Sequence, residues 1–348
     1  MADSRISIAK DISTEVKGIM LVLMYILHFF CFPAWYIGGV SYPNLQWMEG
    51  FQGHFQICIA GFTFLTGYFY FSSQKGTFRY IIKKWIDILI PYWFVICVLL
   101  IIGYITGNDF SSKTIILEFL ALKNTIMPFG WYVSYYCIMI PALVYSVKLI
   151  KNDVILSVAG LLIPMALYYG VAHFVPNSVI IGTLSKFQVY FPITIAGFMS
   201  AKYCLFGKVD ELLKNKILLK CIVSAGLIGV VFMEPTWLYG ISINNIVFEM
   251  IRKVIRICSI PFFVYGIVSL LNVIPEKVRY PLELIGKYST IMWFMHGIFF
   301  GCSKELFQPI LYAPIVPVLV LLWGLVLNLL ISIPIDHAAK LIRSKVKS

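Results

Sequence analysis

The sequence predicts an all-α, polytopic membrane protein of about ten transmembrane helices. Of its 348 residues, 60% are hydrophobic and only 13% are charged, and the mean hydropathy is +0.87. Apolar runs of about 20 residues, the length that a helix needs to cross a bilayer, recur along the whole chain. The polar stretches between these runs are short, so residues 1–348 are expected to form a single integral-membrane domain without a soluble domain.

The candidate spans follow one another at short intervals along the chain. In chain order they cover residues 16–36, 54–73, 86–106, 131–150, 154–174, 187–204, 217–233, 247–273, 287–301 and 313–335. Lysine and arginine concentrate in alternate loops, beginning with Lys10 and Lys17 before the first span. By the positive-inside rule those loops face the cytoplasm, which places both termini there and predicts a multi-pass protein of a cell membrane.

Two segments between spans are expected on the outer side. Residues 33–50 combine the turn residues Pro33, Gly38 and Pro43 with tryptophans, which is typical of an outer loop with interfacial anchors. The segment Thr114–Leu122 is apolar but too short to span, so it is expected to lie along the outer interface.

The net charge of +12 and the eight cysteines argue against two classes of function. The positive charge is concentrated in short loops on one side of the spans, which indicates membrane topology and no nucleic-acid partner. The cysteines are scattered singly, without a Cys-X-X-Cys pair or a metal-ligand spacing. They are expected to be small apolar packing residues, so the sequence predicts no disulfide framework, no metal site and no permanently bound cofactor.

Two histidines lie inside predicted spans at similar distances from a cytoplasmic lysine. His28 follows Lys17 by eleven residues, and His296 follows Lys287 by nine. Both spans run from inside to outside, so at about 1.5 Å per residue both imidazoles are expected near the middle of the membrane. Ser289 shares a helical face with His296. Ionisable groups at that depth indicate function, and the pair suits a general base, a proton relay or helix-packing hydrogen bonds.

A basic segment separates the second and third spans on the cytoplasmic side. Arg79 and Lys83 are one helical turn apart, and Lys84 follows directly. Such a cluster can hold anionic lipid headgroups or the phosphates of a nucleotide-like donor. The positive-inside rule alone also accounts for it.

Three cations at the outer start of the eighth span break the positive-inside pattern. Arg252 and Arg256 share a helical face and flank Lys253, with Glu249 three residues before Arg252. One carboxylate neutralises at most one of the two arginines, so Arg256 is expected to lack an acidic partner. Cations exposed to lipid are costly, so this pair is expected to face a cavity and to hold an anionic feature of a ligand.

Aromatic residues mark the outer start of the fourth span. Trp131, Tyr132, Tyr135 and Tyr136 follow Gly130 within seven positions. They form either an interfacial aromatic belt or part of the wall of a binding site.

These residues give the chain a resemblance to acyltransferase family 3, integral-membrane proteins that modify bacterial surface polysaccharides and related acceptors with acyl groups. Four motifs match in order: Lys17-Gly18 with His28; Phe62-Thr63-Phe64-Leu65-Thr66-Gly67-Tyr68; Lys83-Lys84 leading to Ile90-Pro91-Tyr92; and Gly130-Trp131-Tyr132 with the late Gly286, Ser289 and His296. Together they cover nearly the whole chain, and the family likewise has ten spans.

The chain departs from the family pattern near the first span. Many members carry an aspartate three residues before the span-one cation, where this chain has Thr14, so Glu15 and Asp11 are the candidates for that role. Thr66 stands where the family's span-two motif has serine.

The resemblance implies an enzyme of the bacterial inner or plasma membrane. It would transfer an acyl group, acetyl or succinyl, from cytoplasmic acyl-coenzyme A to a hydroxyl of a surface polysaccharide or lipid-linked glycan. In that scheme His28 is the general base, assisted by Lys17 and His296.

The same scheme implies two binding regions on opposite sides of the membrane, with membrane lipid around them. The donor phosphates are expected at Arg79, Lys83 and Lys84. The acceptor is expected at Arg252, Arg256, Trp131, Tyr132, Tyr135 and Ser289. The alternative from another functional class is an exporter of polysaccharide or lipid that uses the histidines as a proton relay.

Overall fold

The computed structural model describes residues 8–32, 43–73, 78–172, 174–175, 178–214, 216–239 and 246–347, which are helical apart from short connections. The helices are α1 (Lys10–Phe30), α2 (Gln52–Phe55), α3 (Ile57–Ser73), α4 (Phe78–Ile105), α5 (Ser112–Phe119), α6 (Trp131–Leu149), α7 (Asp153–Ala172), α8 (Ser178–Lys202), α9 (Leu205–Leu212), α10 (Ile217–Tyr239), α11 (Ile246–Leu271), α12 (Glu276–Met295), α13 (Lys304–Leu311) and α14 (Pro317–Lys347). A 3₁₀ helix, Pro43–Phe51, precedes α2, and a 3₁₀ turn, His296–Phe299, follows α12.

The predicted fold class is confirmed: the described residues include nine helices that are long and apolar enough to cross a membrane. The span predicted at 287–301 differs, because it corresponds to the second half of α12. That helix starts at Glu276, and its first turns carry Lys277, Arg279 and Glu283, so it falls outside the nine. The orientation with both termini in the cytoplasm stays a prediction, and the helix ends are called cytoplasmic and outer on that basis.

Close packing of α1 against α12 forms the part of the bundle that carries the histidines. A Cβ atom added at Gly286 would lie 1.8 Å from the carbonyl oxygen of Thr14, and one added at Gly18 would lie 2.1 Å from that of Leu282. Glycine at both positions therefore lets the two backbones touch, as small residues do between membrane helices. A larger residue at either position would force the helices apart.

A second close contact joins α3 to α8. A Cβ atom at Gly67 would lie 1.8 Å from the carbonyl oxygen of Thr194, and one at Gly197 would lie 2.1 Å from that of Phe64. Gly67 belongs to the span-two motif, so backbone contact with α8 gives a physical reason for glycine at that position.

A buried ion pair fixes the cytoplasmic part of α1. Arg279 of α12 donates from Nη1 to Oε1 of Glu15 over 2.6 Å, and the Glu15 side chain is 1% exposed. Glu15 therefore pairs with α12 and not with Lys17, while Asp11 is exposed in the first turn. Removing one partner of a buried ion pair typically costs about 3–5 kcal/mol, because the other charge is left unpaired.

The structure describes one of the two segments predicted on the outer side and only part of the other. The segment predicted at Thr114–Leu122 forms the short helix α5, whose N-cap Ser111 accepts a hydrogen bond from the amide of Thr114 over 3.2 Å. Residues 33–42 of the predicted outer loop lie outside the described residues, and the 3₁₀ helix follows them.

Candidate active site

The structure brings His28 and His296 into direct contact. Nδ1 of His28 lies 2.9 Å from Nε2 of His296, and the two rings are nearly parallel, with centroids 4.9 Å apart and an interplanar angle of 12°. The His296 side chain is completely buried, and His28 is 8% exposed. Two residues that are 268 positions apart in the sequence thus form one hydrogen-bonded pair.

Both histidines lie near the helix ends that are expected on the outer side. Because α1 begins at Lys10 and not at residue 16, His28 lies about 27 Å along a helix of about 31 Å. His296 is the first residue after the end of α12. The polar residues from Lys10 onward extend α1 on the side expected to be cytoplasmic, and the depth of both imidazoles in the membrane stays a prediction. Ser13 supports this first turn by donating to the carbonyl oxygen of Lys10 over 2.6 Å.

A backbone carbonyl fixes the hydrogen positions of the pair. Nδ1 of His296 is hydrogen-bonded to the carbonyl oxygen of Trp293, and a carbonyl can only accept. Nδ1 of the neutral His296 ring therefore carries the hydrogen, and its Nε2 carries the lone pair. Nδ1 of His28 must then donate to that Nε2. This leaves the lone pair of a neutral His28 on its own Nε2.

Aromatic rings enclose the two imidazoles. The ring centroid of Phe129 lies 4.5 Å from that of His28 and 4.0 Å from that of His296, with stacked geometry in both cases. The ring of Tyr25 lies 5.6 Å from His296, and its hydroxyl donates to the carbonyl oxygen of Met292 over 3.1 Å. This packing restricts the orientation of the rings.

Glu118 of α5 holds the turn that leads to Phe129. Its Oε1 accepts hydrogen bonds from the amides of Ile126, over 2.7 Å, and of Thr125. The hydroxyl of Tyr92 donates to the backbone carbonyl oxygen of Glu118 over 2.8 Å. Burial of the carboxyl raises the pKa of Glu118 to about 7. Glu118 was not among the predicted site residues, although a lone carboxylate in a short apolar segment was a usable signal.

A cavity of about 530 Å³ extends from the cytoplasmic side toward the histidine pair. Four lysines and one carboxylate line it: Lys10, Lys17, Lys84, Lys287 and Asp87. We call it the lysine cavity. Its lining also includes Trp293 and Tyr132, whose ring centroids are 4.9 Å apart. Since the carbonyl of Trp293 binds His296, the apolar end of the cavity lies directly beside the pair.

The structure divides the residues predicted to bind the donor. Of those three residues, Lys84 lines the lysine cavity. Lys17, predicted to assist catalysis, and Ser289, predicted to bind the acceptor, line the same cavity. Arg79 and Lys83 lie on the exposed face of α4 and are not part of its lining.

The aromatic residues at the start of α6 lie in three different surroundings. Tyr132 lines the lysine cavity. Trp131 lines a separate cavity of about 490 Å³, where the ammonium group of Lys186 lies 5.3 Å from its ring centroid. Tyr135 is buried against α8, with its hydroxyl 3.5 Å from Oγ1 of Thr194.

The outer arginines have partners of their own. Arg252 donates to Glu249 over 2.7 Å, and Arg256 donates to Oε2 of Glu234 over 2.9 Å. The expectation that Arg256 lacks an acidic partner is therefore wrong, because α10 supplies a carboxylate that helical spacing on α11 cannot indicate. Both arginines line a cavity of about 220 Å³, which shares no lining residue with the lysine cavity.

Comparison with known proteins gives a family match over most of the chain. A family model described as an acyltransferase domain matches residues 16–337. The matched range contains Lys17, both histidines, and the glycines that join α1 to α12. No curated protein and no solved structure matches the chain.

Proposed function

The chain belongs to the family of acyltransferase family 3 membrane proteins, and we propose that it transfers an acyl group from acyl-coenzyme A to a hydroxyl of a surface polysaccharide or lipid-linked glycan. The observation that carries the proposal is the hydrogen bond between His28 and His296, which lies beside the apolar end of a lysine-lined cavity. This arrangement provides a base and a place for an anionic donor within one site.

The charge of the lysine cavity supports coenzyme A as the donor. Its four lysines outnumber its one carboxylate, and ammonium groups form strong charge-assisted hydrogen bonds to phosphates. Within the described residues, no acidic side chain forms an ion pair with Lys17. We therefore assign phosphate binding to Lys17 and Lys84 inside the cavity, and contact with anionic lipid headgroups to the exposed Arg79 and Lys83.

The acyl chain would occupy the apolar end of the cavity. Phe62 and Leu65 line it there, together with Tyr132 and Trp293. The thioester would reach the histidines past the ring of Trp293, whose centroid lies 6.5 Å from that of His296.

His28 would act as the general base. Its Nε2 lone pair takes the proton of the acceptor hydroxyl while that oxygen attacks the thioester carbon. The bond between carbon and sulfur then breaks, and the coenzyme A thiolate leaves and is protonated. His28 is catalytic in this scheme, whereas His296 is a positioning residue. Its Nε2 accepts from Nδ1 of His28, which orients the base and stabilises the imidazolium that forms.

The exporter remains the second candidate because a hydrogen-bonded imidazole pair also suits a proton relay. The two functions differ in what they require from the membrane. Acyl transfer needs no sealed compartment, so purified protein in detergent should release coenzyme A and acylate a glycan acceptor. Activity that appears only in sealed vesicles with a proton gradient would instead support the exporter.

A further inference from the structure

A polar groove opens on the outer side of the histidine pair, and we propose that it binds the acceptor as an uncharged sugar residue. The inference rests on the proposed function for the direction of transfer. The groove has a volume of about 710 Å³ and lies between three segments, residues 108–114, 124–128 and 300–304. We call it the outer groove.

The outer groove reaches the same histidines as the lysine cavity. Phe300 lines the groove, and its ring centroid lies 6.3 Å from that of His28 and 6.3 Å from that of His296. Pro128, another lining residue, directly precedes Phe129, which stacks on both imidazoles. One layer of aromatic side chains therefore separates the groove from the pair.

The two openings lie at opposite ends of the helices. The groove follows the C-terminal ends of α4 and α12. The lysine cavity extends from the first turns of α1 and α4 along the second half of α12 to Trp293 and Phe294. The lysine cavity and the outer groove share no lining residue. A donor and an acceptor could therefore approach the pair from opposite sides without competing for space.

The side chains of the groove suit sugar hydroxyls better than an anion. Five of its twelve lining residues carry an amide or a hydroxyl group: Asn108, Ser111, Thr114, Asn124 and Thr125. The charged residues are one carboxylate, Asp109, and one ammonium group, Lys304, so their formal charges cancel. Sugar hydroxyls both donate and accept hydrogen bonds, which matches this mixture. The lysine cavity, with four lysines and one carboxylate, has a net positive formal charge and suits an anion instead.

The two charged side chains of the groove are available to a ligand. Within the described ranges, neither Asp109 nor Lys304 forms an ion pair, with the other or with a third residue. The carboxylate of Asp109 can accept from a sugar hydroxyl, and the ammonium group of Lys304 can donate to one. The arginines that were expected to hold an anionic acceptor are already paired and line a different cavity.

The test uses the purified full-length protein in detergent with acyl-coenzyme A. The acceptors are a set of neutral methyl glycosides and the matching carboxylated glycosides, and both coenzyme A release and acylated product are measured. The proposal predicts that neutral glycosides are preferred. It also predicts that Asp109→Asn raises the acceptor KM about tenfold or more, through loss of a charge-assisted hydrogen bond, and leaves the donor KM unchanged. Glu305→Gln, a neighbouring exposed carboxylate outside the lining, is the matched control.

Each outcome separates this proposal from the proposed function. Preference for carboxylated glycosides, failure of neutral glycosides while another acceptor is acylated, or an unchanged acceptor KM in Asp109→Asn would overturn the groove assignment alone. Absence of coenzyme A release with every acceptor would contradict the acyltransferase itself, and the groove assignment would fall with it.

Discussion

Nδ1 of His28 lies 2.9 Å from Nε2 of His296, and the carbonyl of Trp293 decides which of these two nitrogens donates. Nδ1–H of His296 donates to that carbonyl, and Nδ1–H of His28 donates to Nε2 of His296. Nε2 of a neutral His28 therefore carries a lone pair. A base prepared in this way needs no acidic residue beside it, which agrees with the pairing of Glu15 to Arg279.

The first prediction concerns the coupling of the two histidines. His296→Phe keeps an aromatic ring but removes the acceptor for Nδ1 of His28, so we expect kcat to fall by about 10²-fold or more while the donor KM is unchanged. If the two residues act as one unit, adding His296→Phe to His28→Gln should cause little further loss. Steady-state kinetics of the two single variants and the double variant measure this coupling. Multiplicative losses in the double variant would show that His296 acts independently.

The second prediction separates the cations inside the lysine cavity from those outside it. Lys17→Gln should raise the donor KM by about 10- to 100-fold, because one charge-assisted hydrogen bond to phosphate contributes about 1.5–3 kcal/mol. Lys83→Gln is the matched control, since that lysine is exposed and does not line the cavity. Binding of coenzyme A to both variants provides the measurement. Equal effects of the two substitutions would contradict the assignment.

The third prediction concerns the contact between α1 and α12. In Gly286→Ala the new Cβ would meet the carbonyl oxygen of Thr14 at 1.8 Å, so the helices must separate and the histidine pair must move. We expect a loss of about 1–3 kcal/mol in stability together with a loss of activity. Gly226→Ala on α10 is the control, since nothing lies within 4 Å of its added Cβ. Thermal unfolding in detergent compares the two, and an unchanged midpoint for Gly286→Ala would be inconsistent with this packing.

The fourth prediction concerns Glu118. Burial raises the pKa of its carboxyl from 4.5 to about 7, so the folded state binds this proton more tightly than the unfolded state. The contribution of this proton to the free energy of unfolding is fully present below about pH 4.5 and is lost as the pH rises through about 7. Glu118→Gln should therefore weaken the decline in thermal midpoint between pH 5 and pH 8. Glu305→Gln, which alters an exposed carboxylate, should leave the decline unchanged, and an identical decline in Glu118→Gln would refute the interpretation.

Much of the fold and part of the site followed from the sequence alone. The apolar runs predicted an all-α membrane fold, and the spacing of His28 from Lys17 indicated that both residues are functional. Helical spacing reports only on neighbours along one helix, so it could not reveal that Glu234 of α10 pairs with Arg256 of α11. The start of α1 at Lys10 was not predicted either, because a polar first turn continues the helix when Glu15 finds a partner on another helix.

Other features depend on how separate segments meet. The role of Glu118 follows from the backbone amides that it holds and from the ring of Phe129 beyond them, which stacks on two histidines that are 268 positions apart. The outer groove combines three separate segments, and the hydrogen bond from Asn108 to the carbonyl oxygen of Cys302 joins residues 194 positions apart. Such a surface appears only once the helices are packed.

The most direct measurement is the rate of acyl transfer by His28→Gln in detergent, with His337→Gln, an exposed histidine of α14, as the control. We expect His28→Gln to bind coenzyme A and to unfold at the parental temperature, but to transfer acyl groups about 10²- to 10⁴-fold more slowly. The control should retain the parental rate. Transfer by a folded His28→Gln protein at near the parental rate would contradict the assignment of His28 as the base.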